Sequence, residues 1–214
     1  MGDTSNRRPL ASRETGWARG ITRMLVGTAI TPNQISMASM VFAALAGICF
    51  WQAGSADGIA RIALLIAAAL CCQGRLLCNL FDGLVAVEGG KQSPDGPFWN
   101  EFPDRIADIL ILAGAGYGVG LPELGWAAAA FAVLTAYVRE LGVANGQPAD
   151  FSGPMAKQHR MAVMTAAAVL ATLEPIWQAN GWTIMAALWI VAAGGLLTAL
   201  RRCARLIAFL KTRS

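Results

Sequence analysis

The stretch CNLFDGLVAVEGGKQSPDGPFWNEFPDRIAD, residues 78–108, decides the fold because it places acidic side chains between two strongly apolar segments. Its oxygen-bearing side chains at helical spacings are those of Asn79, Asp82, Asn100, Glu101, Asp104 and Asp108. Acidic groups at the edge of a bilayer are costly and are retained where they have a function. The stretch therefore predicts two membrane helices whose facing ends hold a divalent metal ion.

Composition indicates a polytopic helical membrane protein. The 214 residues are 56% hydrophobic and only 14% charged, whereas a soluble domain of this size would expose more charges. Several apolar runs reach about 18–24 residues, the length that crosses about 30 Å of hydrocarbon. We expect an all-α chain with six transmembrane helices, at residues 34–53, 60–81, 105–121, 124–145, 161–177 and 183–207. Residues 1–30 would form a cytoplasmic tail with an interfacial helix, and residues 31–214 a six-helix membrane catalytic domain.

Lysine and arginine side chains predict the orientation. They are concentrated in both terminal tails and in the two longer links, at residues 82–104 and 146–160, whereas only Arg61 lies near a short link. By the positive-inside rule, both termini and both longer links face the cytoplasm of the cell's inner membrane. The net charge of +4 is mostly this bias and does not indicate a nucleic-acid partner.

Residues 13–28 differ from the other segments because they are amphipathic. Trp17, Ile21, Met24 and Leu25 fall on one helical face, and arginines lie elsewhere. This pattern predicts a helix that lies in the cytoplasmic interface with its apolar face in the lipid. An irregular basic tail is the alternative.

Glycines recur at every second position of the third predicted span, at Gly114, Gly116, Gly118 and Gly120. They form overlapping small-xxx-small patterns, which are typical of close helix packing in membranes. We therefore expect a packing surface rather than a nucleotide-binding loop.

The acidic side chains share helical faces. Asn79 and Asp82 are three residues apart, and Asn100, Asp104 and Asp108 are spaced by four, so each set lies on one side of its helix. Two such faces would collect oxygen ligands from both helices, as Mg²⁺ or Mn²⁺ requires. Thiolates and imidazoles are absent from the set, which argues against zinc. The alternative is that the aspartates cap helix ends or pair with Arg75, Arg105 and Arg139.

The same residues resemble the CDP-alcohol phosphotransferases, integral-membrane enzymes of phospholipid synthesis. That family carries D-x2-D-G-x2-A-R followed after a short interval by G-x3-D-x3-D. The corresponding residues here are Asn79, Asp82, Gly83, Ala86, Val87, Gly96, Asn100 and Asp104. Asn79, Asn100 and Val87 depart from the pattern, since the family has aspartate, aspartate and arginine there.

Three further segments carry the resemblance, which covers about residues 25–165. Pro32 and Asn33, ahead of Ser36, are similar to the family's proline-asparagine segment before a hydroxyl residue. Arg139-Glu140 resembles an arginine-glutamate pair of the phosphatidylglycerophosphate-synthase branch. Lys157 and Arg160 resemble the family's basic loop.

The resemblance implies a mechanism. Mg²⁺ (or Mn²⁺) ions at the acidic positions would bind the pyrophosphate of a CDP-linked donor, and the family's pattern favours CDP-diacylglycerol. Asp104 would accept the proton of a small alcohol acceptor, whose oxygen attacks phosphorus while CMP leaves. The implied metal ligands are Asn79, Asp82, Asn100 and Asp104, with Asp108 and Glu101 as acids that compensate for the asparagines. The implied substrate-binding residues are Pro32, Asn33, Gly83, Ala86, Gly96, Lys157, Arg160 and Arg139. A homodimer embedded among membrane lipids is implied as well.

Two other functions remain open at this point. A catalytically silent family member would bind nucleotide or lipid without turnover, which the two asparagines favour. A transporter with an intramembrane acidic site is a third hypothesis, but the acids cluster at one interface rather than at the midplane. Release of CMP separates the enzyme from both.

Overall fold

The structure is a computed structural model that describes residues 16–212. The predicted tail up to residue 15 lies outside the described residues. The described part is helical throughout, which confirms the all-α prediction. The helices are α1 (Gly16–Val26), α2 (Pro32–Ala53), α3 (Gly58–Glu88), α4 (Gly96–Gly118), α5 (Pro122–Ala144), α6 (Lys157–Ala171) and α7 (Trp182–Lys211), with a 3₁₀ turn at Glu174–Trp177.

Four helices, α2, α3, α5 and α7, are long and apolar enough to cross a membrane, and they indicate a membrane protein. The prediction of six spans is not confirmed, since four helices of residues 16–212 meet the length and hydropathy that a span needs. Helix α4 carries four charged side chains between Glu101 and Asp108, and α6 has only 15 residues. Both helices nevertheless pack within the same bundle as the four spans.

The boundaries of α3 and α4 differ from the sequence prediction. Helix α3 continues to Glu88 and α4 begins at Gly96, so the link between them is residues 89–95 rather than 82–104. The predicted ends followed the loss of hydropathy, whereas the backbone stays helical for two further turns. Asp82 and Asp104 consequently lie on rigid helices rather than in a loop.

The bundle is built from helices that alternate in direction along the chain, so that each packs against antiparallel and parallel neighbours. Helix α2 packs against α3 and α4, α5 packs against α4 and α7, and α6 packs against α3 and α7. The buried core is rich in alanine, with larger side chains such as Leu65, Ile111 and Leu188 between the small ones. Helix α2 begins with a capping box, in which Thr31 and Gln34 bond each other's backbone N–H groups.

Glycines bring the backbones of α2 and α4 into direct contact. A Cβ atom on Gly114 would collide with the backbone of Gly47, and one on Gly118 would collide with the carbonyl group of Phe50. Gly54 meets Gly118 in the same way. The prediction of close helix packing is therefore confirmed, and we call this contact the glycine seam.

Helix α1 lies against α3 by its small residues. Ala18 and Thr22 are buried, whereas Trp17 and Met24 are 51% and 65% exposed. Helix α1 covers part of the predicted segment, and Leu25 of the expected apolar face packs against α3 instead of being exposed. The location of α1 in a membrane interface stays a prediction.

A buried ion pair closes the end of the bundle opposite residues 82–104. Arg61 Nη2 lies 2.6 Å from Glu174 Oε2, and Arg61 also donates to the carbonyl oxygen of Ala53. Glu174 accepts further hydrogen bonds from the N–H groups of Gly181 and Thr183, at 2.8 and 2.7 Å. This network ties the ends of four segments together.

Candidate functional site

A cavity of about 540 Å³ opens where α2, α3, α4, α5, α6 and α7 meet at the other end of the bundle. With one exception, all the predicted site residues line it: Pro32, Asn33, Asn79, Asp82, Gly83, Ala86, Gly96, Asn100, Glu101, Asp104, Arg139, Lys157 and Arg160. The exception is Asp108. The structure thus brings together residues that are spread over four segments of the sequence, while the role of each stays a prediction.

Asp82 is held by hydrogen bonds on both carboxylate oxygens. The hydroxyl group of Ser36 donates to Oδ2 at 2.7 Å, and the N–H group of Gly83 donates to Oδ1 at 2.6 Å. The side chain is buried on α3 and faces the N-terminal part of α2. Its position is therefore fixed by α2 and by its own helix.

Asp104 is the centre of the site. Its Oδ1 atom accepts hydrogen bonds from Asn79 Nδ2 at 2.6 Å and from Arg75 Nη2 at 3.3 Å. Its Oδ2 atom forms an ion pair with the ammonium group of Lys157, at the first turn of α6. The same ammonium group attracts Asp82. Asp104 therefore joins α3, α4 and α6.

Asp108 lies behind the cavity rather than in it. Its two oxygens pair with Arg75 Nη2 at 3.2 Å and with Arg160 Nη2 at 2.6 Å, and the carboxylate is fully buried. Asp108 lies eight residues after Asn100. Over eight residues the side-chain direction turns about 80° beyond two full turns and the helix advances by about 12 Å, so Asp108 does not share the face of Asn100. The structure thus places Asp108 as a partner of arginines, which is the alternative considered for the aspartates.

Glu101 sits at the edge of the cavity between two arginines. It forms ion pairs with Arg105, one turn along α4, and with Arg139 of α5. Arg139 also pairs with Glu140, and its guanidinium lies 5.3 Å from the ring centre of Phe151. Arg139 thus forms a cross-helix ion pair with Glu101 instead of with an aspartate, and it also lines the cavity.

The link between α3 and α4 is tied to the start of α2. Asn33 Nδ2 donates to Asp95 Oδ2 at 3.1 Å, and Trp99 Nε1 donates to the same oxygen at 2.9 Å. Hydrogen bonds from Ser93 and Asn33 lower the pKa of Asp95. Lys91 donates to the carbonyl oxygens of Thr28 and Ile30. These bonds hold one wall of the cavity.

Sequence reasoning missed two contributors. Ser36 was noted only as part of a motif, yet it holds Asp82 directly. Arg202 was counted with the C-terminal tail, whereas it lies on α7, lines the cavity and donates to the carbonyl oxygens of Thr135 and Ser152. An arginine that follows a long apolar run is equally typical of the positive-inside pattern. The sequence alone therefore does not indicate that this arginine lines a cavity.

The cavity side chains do not fit a pair of divalent metal ions. Every carboxylate oxygen of Asp82 and Asp104 already has a donor from the protein. Two of the four motif positions are amides, which bring no negative charge. Among residues 16–212, no group of three or more His, Cys, Asp or Glu side chains is arranged to hold a metal ion.

Solved structures with the same fold come from Mycobacterium tuberculosis phosphatidylinositol phosphate synthase (PgsA1). The structure with CDP-DAG bound is 17% identical, with a TM-score of 0.70 over 87% of this chain and 92% of that one. The complex with manganese and citrate is 17% identical, with a TM-score of 0.71 over 87% of each chain. The apo form is 16% identical, with a TM-score of 0.67 over 86% of this chain and 93% of that one.

Comparison by sequence finds less. No family model matches the chain, and no curated protein matches it. PgsA1 is a CDP-alcohol phosphatidyltransferase. The resemblance to the CDP-alcohol phosphotransferases is therefore confirmed at the level of the fold, and this chain has the fold of phosphatidylinositol phosphate synthase.

Proposed function

We propose that this chain transfers a substituted phosphate group from a CDP-alcohol to a small hydroxylated acceptor and releases CMP, as a step of phospholipid synthesis. The donor we favour is CDP-diacylglycerol. The observation that carries the proposal is the convergence of the motif residues on one cavity. Asp82 and Asp104 face it from two helices, beside the small residues Gly83, Ala86 and Gly96, which leave room for a nucleotide. The PgsA1 structure with CDP-DAG bound supports the choice of donor.

Asp104 is the proton acceptor in this proposal. As the acceptor hydroxyl oxygen forms its bond to phosphorus, its proton passes to Asp104 Oδ2. The bond from that phosphorus to the bridging oxygen breaks, and CMP leaves with the electron pair. Lys157 covers Oδ2 before the ligand arrives, so its ammonium group must move onto a phosphate oxygen first. The Lys157 side chain is 29% exposed, which leaves it room for this exchange.

The remaining cations position ligands. Arg139 and Arg105 line the cavity beside Glu101 and can bind an anionic group of donor or acceptor. Arg160 is held by Asp108 and by the carbonyl oxygen of Met155, so it acts by fixing the start of α6. Lys157 is then the basic residue of this segment that reaches the ligand.

The membrane placement belongs to the same proposal. We place all six helices of the bundle, including α4 and α6, across the inner membrane, with both termini and the cavity on the cytoplasmic side. Trp51, Trp126, Trp177 and Trp182 are exposed at the helix ends opposite the cavity, where aromatic belts lie. A cavity at the interface gives access to a water-soluble nucleotide and to a lipid. A homodimer follows from the family resemblance.

A silent binding protein is the second candidate, and a specific observation favours it. Asn79 and Asn100 replace acidic residues, and Lys157 neutralises Asp104. A carboxylate in an ion pair is a weaker base than a free one. Such a protein would bind a CDP-linked lipid in the same cavity without turnover.

The two candidates are separated by CMP release from CDP-diacylglycerol, measured with purified protein in lipid bilayers and a panel of acceptors. The panel includes glycerol 3-phosphate, inositol phosphate and serine, each with excess Mg²⁺, excess Mn²⁺ or EDTA. Asp104→Asn is the test variant and Asp57→Asn, an exposed aspartate before α3, is the matched control. CMP that appears with one acceptor and is lost only in Asp104→Asn supports the enzyme. No CMP with any acceptor leaves the binding protein.

A further inference from the structure

We propose that Lys157 and Arg75 supply the positive charge that divalent metal ions would bring to this site. The chain would then take up its CDP-linked ligand without a tightly bound metal ion. The inference rests on the proposed function only for the identity of the ligand. It concerns the same carboxylates, Asp82 and Asp104, and can be tested without any nucleotide.

The charges of the cluster already balance. The three buried carboxylates of Asp82, Asp104 and Asp108 are matched by three cations, Arg75, Lys157 and Arg160. Buried charges are stable when they are paired, and a surplus of either sign is costly. Divalent cations bound here would leave the cluster with several uncompensated positive charges.

The unsatisfied groups of the cluster are donors rather than acceptors. Arg75 Nε, Arg75 Nη1 and Arg160 Nε are buried and have no hydrogen-bond partner within the described part of the chain. A site prepared for a cation would have unsatisfied oxygens, because the metal completes their coordination. This cluster has the opposite deficit, since its unsatisfied atoms are donors.

The amides complete the argument. At the first motif position, Asn79 turns its Nδ2 group toward Asp104 and donates at 2.6 Å. A hydrogen-bond donor at this position repels a cation, whereas an aspartate would attract one. The start of α6 adds to the positive field, since Ala156 and Lys157 line the cavity and a helix N-terminus carries partial positive charge.

The test is Mn²⁺ binding to the purified full chain without nucleotide, followed by electron paramagnetic resonance of the free ion. The variant Asn79→Asp/Asn100→Asp/Lys157→Gln returns two negative charges and removes the positive one. We expect it to bind Mn²⁺ at least about 100-fold more tightly than the unmodified chain, given the size of Coulomb interactions at these distances. Lys157→Gln alone should tighten binding by about 10-fold. It serves as the measurement if the triple variant does not fold.

Lys91→Gln is the matched control because it removes a positive charge from the same cavity but not from the two aspartates. It should leave the affinity for Mn²⁺ within about threefold. Equal affinities of the unmodified chain and of the Lys157 variants, whether tight or weak, would overturn the inference.

A second readout uses the ligand itself. The affinity for CDP-diacylglycerol in excess EDTA should equal that in excess Mg²⁺ within about threefold. A requirement for Mg²⁺ in binding would overturn the inference and leave the proposed transfer intact. Metal-independent binding without any release of CMP would contradict the proposed transfer and leave this inference intact. The two proposals can therefore fail separately.

Discussion

Asp108→Asn tests whether this residue is a structural counter-ion or a metal ligand. The substitution keeps the shape of the side chain and removes its charge. In the native chain the Asp108 carboxylate pairs with Arg75 at 3.2 Å and with Arg160 at 2.6 Å, and all three side chains are almost completely buried. Arg75 would keep a second carboxylate, Asp104, at 3.3 Å. Arg160 would lose its charged partner and keep the carbonyl oxygen of Met155 as an acceptor.

Removing one partner of a buried ion pair lowers the free energy of unfolding by about 3–5 kcal/mol. Because Arg75 keeps its ion pair with Asp104, we expect a loss at the lower end of this range, about 3 kcal/mol. For a chain of this length, each kcal/mol corresponds to about 2–4 °C in Tm, so we expect a decrease of about 6–12 °C.

Thermal unfolding in detergent, followed by tryptophan fluorescence, measures the effect. Asp57→Asn is the control, since Asp57 is exposed and makes no capping hydrogen bond at the start of α3. Its Tm should change by less than about 2 °C. A decrease for Asp108→Asn that does not exceed the control would refute the structural role. The metal-ligand prediction would then return.

Three further substitutions test the rest of the fold. Gly114→Ala should lower the free energy of unfolding by about 1–3 kcal/mol, because its Cβ atom meets the backbone of Gly47. Gly20→Ala, which places a Cβ atom in open space, should not lower it. Thermal unfolding of both variants measures the difference. Glu174→Gln should cost about 3 kcal/mol because Arg61 loses its buried partner, and an equal effect of Glu123→Gln, an exposed acid at the same end, would contradict this. Burial raises the pKa of Asp150, but hydrogen bonds from Ser152 and the charge of Arg205 outweigh it, so the pKa is lowered in the folded chain. Its contribution to stability is therefore present above the unfolded pKa of about 3.9 and lost as pH falls through the lower folded value. The stability difference between the unmodified chain and Asp150→Asn should shrink as the pH falls below about 5, and a constant difference would count against the assignment.

The sequence was sufficient to predict the helices and the location of the site. Hydropathy identified the six bundle helices, and the glycine pattern predicted a close packing surface on α4, although not that α2 packs against it. The spacing of Asn79, Asp82, Asn100 and Asp104 was enough to predict that two helix ends form one polar cavity. These features depend on local periodicity, which a single sequence contains.

The partners of the acidic side chains were not predictable to the same degree. Lys157 is more than 50 residues from Asp104, and nothing in its neighbourhood distinguishes an internal counter-ion from an orientation signal. Asp108 was assigned to the cavity because a spacing of four was treated as one face, although the rotation accumulates over two steps. Arg202 reaches the cavity only through the packing of α7 against α5. Such contacts depend on tertiary structure and leave no periodic trace.

The glycine seam also determines how the cavity can change its width. Its contacts, at Gly47 and Gly54 of α2 and at Gly114 and Gly118 of α4, all lie in the half of the bundle remote from Asp104. The seam is the pivot about which these two helices can tilt. At the cavity end, the hydrogen bond from Asn33 of α2 to Asp95, just before α4, limits how far they separate. At 1.5 Å per residue the arm from Gly114, the seam residue of α4 nearest the cavity, to Asp104 is about 15 Å, so a rotation of about 5° would move the cavity wall by about 1 Å. A shift of that size already stretches the hydrogen bond between Asn33 and Asp95, so the width of the cavity on this side is set mainly by the fold.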